Sequence, residues 1–132
     1  MERPLRLSRV TSAVVLTVLL VALAGFQLAL ALGAPLGRFA WGGRHRVLPT
    51  SMRAGSVAAI ATYAAIAVVA LDRAGAVDVL PERFSTVAMW AVLAYFVLGI
   101  GVNAVSRSIP ERLVMVPVTI VLSALSLVVA LG

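Results

Sequence analysis

The sequence predicts an all-α integral membrane protein, an antiparallel up-down four-helix bundle with a structured first connection, and three observations carry that prediction. Hydrophobic residues make up 62% of the 132 residues against 12% charged, with a mean hydropathy of +1.09, far outside the range of water-soluble domains. The apolar residues gather into four runs of about 20, each able to cross about 30 Å of hydrocarbon at roughly 1.5 Å rise per residue. The charge is confined to a short N-terminal tail, to the span ends and to connections rich in helix breakers, so 1–132 reads as one transmembrane domain. The spans fall at about 10–32, 52–71, 84–105 and 110–131.

The first span follows a short basic tail carrying Arg3, Arg6 and Arg9. Ala29-Leu30-Ala31 looks like a signal-peptidase site, but the apolar run is too long for a signal peptide's core, which marks a retained helix. Gly25, Ala29 and Gly33, spaced by four, form a small-residue stripe on which a neighbouring helix is expected to pack. Gln27, near the same end, is expected to bond another helix or to line a pocket.

The connection Gly33 to Arg53 is the most information-rich stretch. Gly33, Pro35 and Gly37 stop the first helix, and Gly42-Gly43 is a second turn signal. Leu36, Phe39, Ala40 and Trp41 flank Arg38, a pattern suited to a segment in the headgroup zone. Arg44, His45 and Arg46 follow, and Pro49 leads into the second helix with Thr50 or Ser51 as its cap. The connection is far longer than the 2 to 8 residues usual in helical bundles, and its apolar side chains argue that it folds over the bundle as an ordered cap.

The second span is rich in Ala54, Ala58, Ala61 and Ala65, which predicts a central position in the bundle, and Tyr63 near its middle needs a hydroxyl partner. The third span, with Ser85 as a cap, carries Trp90, Tyr95 and Phe96 and then Asn103. The fourth opens on Ser108-Ile109-Pro110-Glu111, a capping box with proline in the first turn. Arg112 is unfavourable at a helix N-terminus and needs a partner, either Glu111 or a lipid phosphate. Pro117 removes a donor inside the helix and marks a bend, static or hinged.

Absences exclude several functions. There is no cysteine for thiol or thiolate-metal chemistry, one histidine cannot ligate haem from two sides, and no Glu-x-x-His offers a di-iron site. No acidic residue lies inside an apolar run, where proton-coupled carriers keep their coupling carboxylate. No cofactor and no metal are expected. The eleven arginines flank membrane spans, which points to the lipid bilayer and not to nucleic acid. Arg38, Arg44, His45, Arg46, Arg53 and Arg112 are the candidates for binding anionic headgroups. Gln27, Tyr63, Tyr95, Asn103 and Glu111 are the candidates for lining a pocket.

The Gly33-Ala34-Pro35-x-Gly37 turn, the Gly42-Gly43 pair, Leu48-Pro49 before Arg53, and Glu111-Arg112 with Pro117 resemble a family of small bacterial four-span membrane proteins of unknown function. Leu36 and Met115 stand where that family's pattern has aromatics. The resemblance implies the four-span fold and a bacterial cytoplasmic membrane, and supplies no activity.

Four spans put both termini on one side. Five arginines lie on that face and six on the other, so the positive-inside count does not orient the chain; the first helix's basic tail favours cytoplasmic termini. Three classes of function follow. The first is a structural, accessory or lipid- and partner-binding protein that uses the Arg-rich face formed by the first and third connections. The second is an oligomeric transporter or channel subunit for a small solute, in which a second copy or a partner membrane protein completes the path. The third is an enzyme on a lipid or isoprenoid phosphate, for which only His45 or Glu111 could serve as base.

Overall fold

In a computed structural model the described residues form four long helices, α1 (Glu2–Ala31), α2 (Thr50–Arg73), α3 (Glu82–Ala104) and α4 (Ile109–Leu131). Two 3-10 turns, Gly37–Phe39 and Trp41–Gly43, lie in the first connection. The structure describes residues 2–132; Met1 and the side chains of Glu2 and of Arg3 in the basic tail lie outside the described residues. All four helices are long and apolar enough to cross a membrane, the architecture of a multi-pass membrane protein. They pack as a ring in which α1 meets α2 and α4, α3 meets α4 closely, and α2 meets α3 more sparsely.

On α1 the buried residues Ala13, Leu16, Leu20 and Leu30, with half-buried Leu23 and Gln27 between them, recur at intervals of three and four and form one seam. Gly25 lies off this seam. It is exposed, and a Cβ added there would meet nothing within 4 Å, which corrects the expectation that Gly25, Ala29 and Gly33 form the packing stripe. Gly33 does approach Arg53 and Ala29 is half-buried, but the helix rotation is set by its leucines. Gly25→Leu is therefore expected to leave thermal stability in detergent within about 0.5 kcal/mol of the parent, the ordinary range for outward-facing sites. A melting curve clearly below the parent's would show that a partner covers that face.

Ala54, Ala58, Ala61 and Ala65 are likewise exposed, while α2 buries Ser56, Ile66 and Ala70 instead, so α2 is not central. The most deeply packed helix is α4, which buries Glu111, Thr119, Leu122, Ser123, Ser126, Val129 and Ala130. The hydroxyls of Thr119 and Ser123 donate to the carbonyls of Met115 and Thr119 one turn earlier, so these two pack closely without an open donor, whereas the buried Ser126 hydroxyl has no partner. Helix α4 continues without a break across Pro117.

Helix ends differ from expectation in instructive ways. The basic tail is helical from Glu2, with Pro4 tolerated in the first turn, and Arg9 donates to the Gly132 carbonyl at 2.6 Å. Arg73 donates to the Ala130 carbonyl at 3.1 Å. Helix α4 has no basic residue in its own last turn, so α1 and α2 supply the cations that its C-terminal carbonyls favour. Pro49 itself stands at the N-cap of α2 and Pro81 at that of α3; neither Thr50 nor Ser51 caps α2 by its side chain, and Ser85 is buried, donating to the Glu82 carbonyl. Ser108 does cap α4, its hydroxyl accepting from the Glu111 N–H.

Candidate cap and intrabundle cavity

The first connection folds onto the end of the bundle. Helix α1 closes with the Ala34 N–H on the Ala29 carbonyl at 2.9 Å and the Gly33 N–H on the Leu30 carbonyl at 3.1 Å. Gly33 takes φ +95°, the left-handed position that glycine fills at helix C-termini. The Gly37 N–H then donates to the Arg46 carbonyl at 2.9 Å, pinning the two halves of the connection together. Leu30, Ala40 and Leu48 are buried as a small core of their own, with Phe26, Leu36 and Met52 packed around it.

Three further contacts tie this cap to the helices beneath. The Ser108 hydroxyl donates to the Arg38 carbonyl. The Trp41 indole N–H donates to the Ser56 hydroxyl at 3.4 Å, and its ring lies so close over Gly55 that a Cβ there would stand 2.9 Å from it. The Gly42 N–H donates to a carboxylate oxygen of Glu111 at 2.9 Å. Trp41, Gly42 and Gly43 all have positive φ, 53°, 75° and 71°, so this turn winds left-handed. Glycine adopts that conformation freely, and its cost at Trp41 is offset by what holds the indole. The Gly42-Gly43 pair in the sequence is thus what aims an N–H at Glu111.

The six candidate headgroup ligands divide. Arg38, Arg44, His45 and Arg46 are exposed on the cap, with the Arg38 guanidinium 4.8 Å from the centroid of the Phe39 ring. Arg112 is exposed and donates to the Ser106 carbonyl at 3.1 Å; this neighbouring carbonyl, and not Glu111, offsets its position at the helix start. Arg53 is turned inward, half-buried, donating to the Leu48 carbonyl at 2.8 Å and packing against Gly33. It acts as a strut under the cap. His45 does not line the cavity described next, so it and Glu111 do not share a site.

Beneath the cap is a cavity of about 580 Å³ walled by all four helices and roofed by Phe39, Ala40, Trp41 and Gly42. The structure brings Gln27, Tyr63, Tyr95, Asn103 and Glu111 together in its lining. The Gln27 side-chain amide donates to the Tyr63 hydroxyl at 3.5 Å, and that of Asn103 donates to the Thr119 hydroxyl at 2.9 Å. The Gln27 carbonyl oxygen is sealed from solvent and has no hydrogen-bond partner. Glu111 is only 6% exposed and is the one formally charged residue among those described in the lining. Aromatic residues form much of the rest, with Trp41 and Tyr95 at the exposed edge.

The cap is legible in the sequence, but the cavity beneath it is not. Phe39 and Trp41 read as aromatics facing the lipid or the bundle top, and nothing in local spacing shows that they roof a cavity whose other walls lie more than eighty residues away. The Arg9 and Arg73 contacts with the end of α4 were equally invisible, because each partner sits on a different helix. No family model, curated protein or solved structure matches this chain.

Proposed function

We propose that this protein is a small membrane-embedded lipid-binding or accessory protein whose Arg-rich cap face engages anionic headgroups. The observation that supports this reading is the direction of the charges. The face formed by the first and third connections holds six arginines and a single carboxylate. That carboxylate, Glu111, is turned inward and bonded to Gly42, whereas Arg38, Arg44, Arg46, Arg107 and Arg112 are exposed. An ordered cap presents several exposed guanidinium groups on one face, and guanidinium groups at a membrane surface favour phosphate oxygens, which they bind through charge-assisted hydrogen bonds.

Thermal melting in a neutral detergent tests the reading. Added phosphatidylglycerol is expected to raise the melting temperature well above the effect of equal phosphatidylcholine. In an Arg44→Gln/Arg46→Gln variant the apparent affinity for phosphatidylglycerol should fall about ten- to thirtyfold, following roughly 1 kcal/mol per basic residue at an anionic surface. Equal stabilisation by both lipids, unchanged in the variant, would reduce these arginines to topology signals.

A further inference from the structure

The cavity under the cap is a second site, distinct in chemistry from the basic face outside it. Its volume of about 580 Å³ falls in the range of small-molecule pockets, and a mostly apolar lining with a few convergent polar groups is the usual make-up of such a site. Two of its polar groups stand out beside the amide and hydroxyl donors of Asn103, Tyr63 and Tyr95. Glu111 brings a carboxylate with one oxygen on Gly42, and Gln27 brings a sealed carbonyl oxygen without a donor. Both are acceptors, and among the described lining residues none is basic. Trp41, Tyr63 and Tyr95 add aromatic surface, whose faces attract cations.

From this combination we infer that the cavity binds a hydrophobic organic cation, an alkyl- or arylalkylammonium whose charged head lies with Glu111 and the aromatics and whose apolar body fills the space between the helices. Binding turns the Gln27 side chain so that its oxygen, sealed in this structure, accepts from the head's N–H groups. An anionic ligand is disfavoured because it would set a second negative charge beside a carboxylate in a low-dielectric space. A neutral apolar ligand would leave the Gln27 oxygen unpaired. The arginines do not compete for the site: Arg38 lies on Phe39 and Arg112 on the Ser106 carbonyl, and neither lines the cavity.

The test uses the full chain in phosphatidylcholine nanodiscs, which removes anionic lipid from the comparison, with empty discs as the control for partitioning. Isothermal titration compares 4-phenylbutylammonium, its N,N,N-trimethyl counterpart and the neutral 4-phenylbutanol. The two cations are expected to bind at least about tenfold more tightly than the alcohol, and Glu111→Gln should remove that preference. Gln27→Leu, which leaves the Glu111 and Gly42 contact untouched, should weaken the primary ammonium about fivefold and the trimethylammonium, which has no N–H, less than about twofold. Alcohol binding equal to cation binding, or cation binding indifferent to Glu111→Gln, would overturn the inference. Should Glu111→Gln weaken all three ligands alike by loosening the roof, the Gln27→Leu comparison decides: equal effects on the two ammonium ions would overturn it as well.

Discussion

Gly37→Ala is expected to unseat the cap. A Cβ at this position would lie 1.7 Å from the His45 carbonyl oxygen, 2.8 Å from its carbon and 2.9 Å from the Arg46 carbonyl oxygen. These are backbone atoms, so no side-chain rotation relieves the overlap. Relief requires the two halves of the connection to separate, and separation breaks the Gly37 to Arg46 hydrogen bond that joins them. Overpacking of a close-fitted site costs about 1 to 3 kcal/mol, and the lost hydrogen bond adds about 1 more. A fall of about 10 °C in the detergent melting temperature is expected, scaled from the entropy of unfolding for a chain of this size. Gly42→Ala offers the contrast, since a Cβ there meets nothing within 4 Å and only its positive φ opposes the change. Equal melting of parent and Gly37→Ala would mean that the two strands of the connection do not approach as described.

Glu111→Ala is the second large effect. The carboxylate accepts the Gly42 N–H from a position only 6% exposed, and it stands in the first turn of α4, where a negative charge complements the helix dipole. Removing it strands a backbone donor of the left-handed turn and opens space beneath the roof. A hydrogen bond to an ionised group is worth about 1.5 to 3 kcal/mol, and the dipole term adds several tenths. Glu111→Gln keeps an acceptor and should lose roughly half as much. In a Trp90→Phe background, where Trp41 is the sole remaining tryptophan, Glu111→Ala should shift the indole emission to the red as the Trp41 to Ser56 contact loosens. An emission spectrum that does not move would show that Trp41 is held by α2 alone.

Much of this architecture was legible in the chain because a bilayer imposes length and polarity on every span. Four helices follow from four apolar runs, since a backbone in hydrocarbon must satisfy its own hydrogen bonds. The capping residue Ser108 and the turns at Gly33 and at Gly42-Gly43 were also readable, because capping and positive φ depend on a few adjacent residues. That the first connection folds as a cap followed from its apolar side chains, which are poor company for water. A polar side chain near hydrocarbon needs a partner, and Gln27, Tyr63 and Asn103, which stand out in the sequence for that reason, each have one on a neighbouring helix.

What the sequence alone could not determine is which way each helix turns. Composition made small residues candidates for the interface, but in this bundle the seam of α1 runs along Ala13, Leu16 and Leu20, and Gly25 and the α2 alanines face outward. Lipid is as apolar as leucine, so burial gains nothing from hydrophobicity, and the winning face is the one whose shape interlocks with its neighbours. The sequence therefore determined the spans, the Ser108 cap, the turns at Gly33 and at Gly42-Gly43 and the charge of each end. Only the tertiary structure decided that Glu111 points inward while the exposed arginines point outward, because that division rests on one N–H of Gly42 meeting a carboxylate sixty-nine residues away.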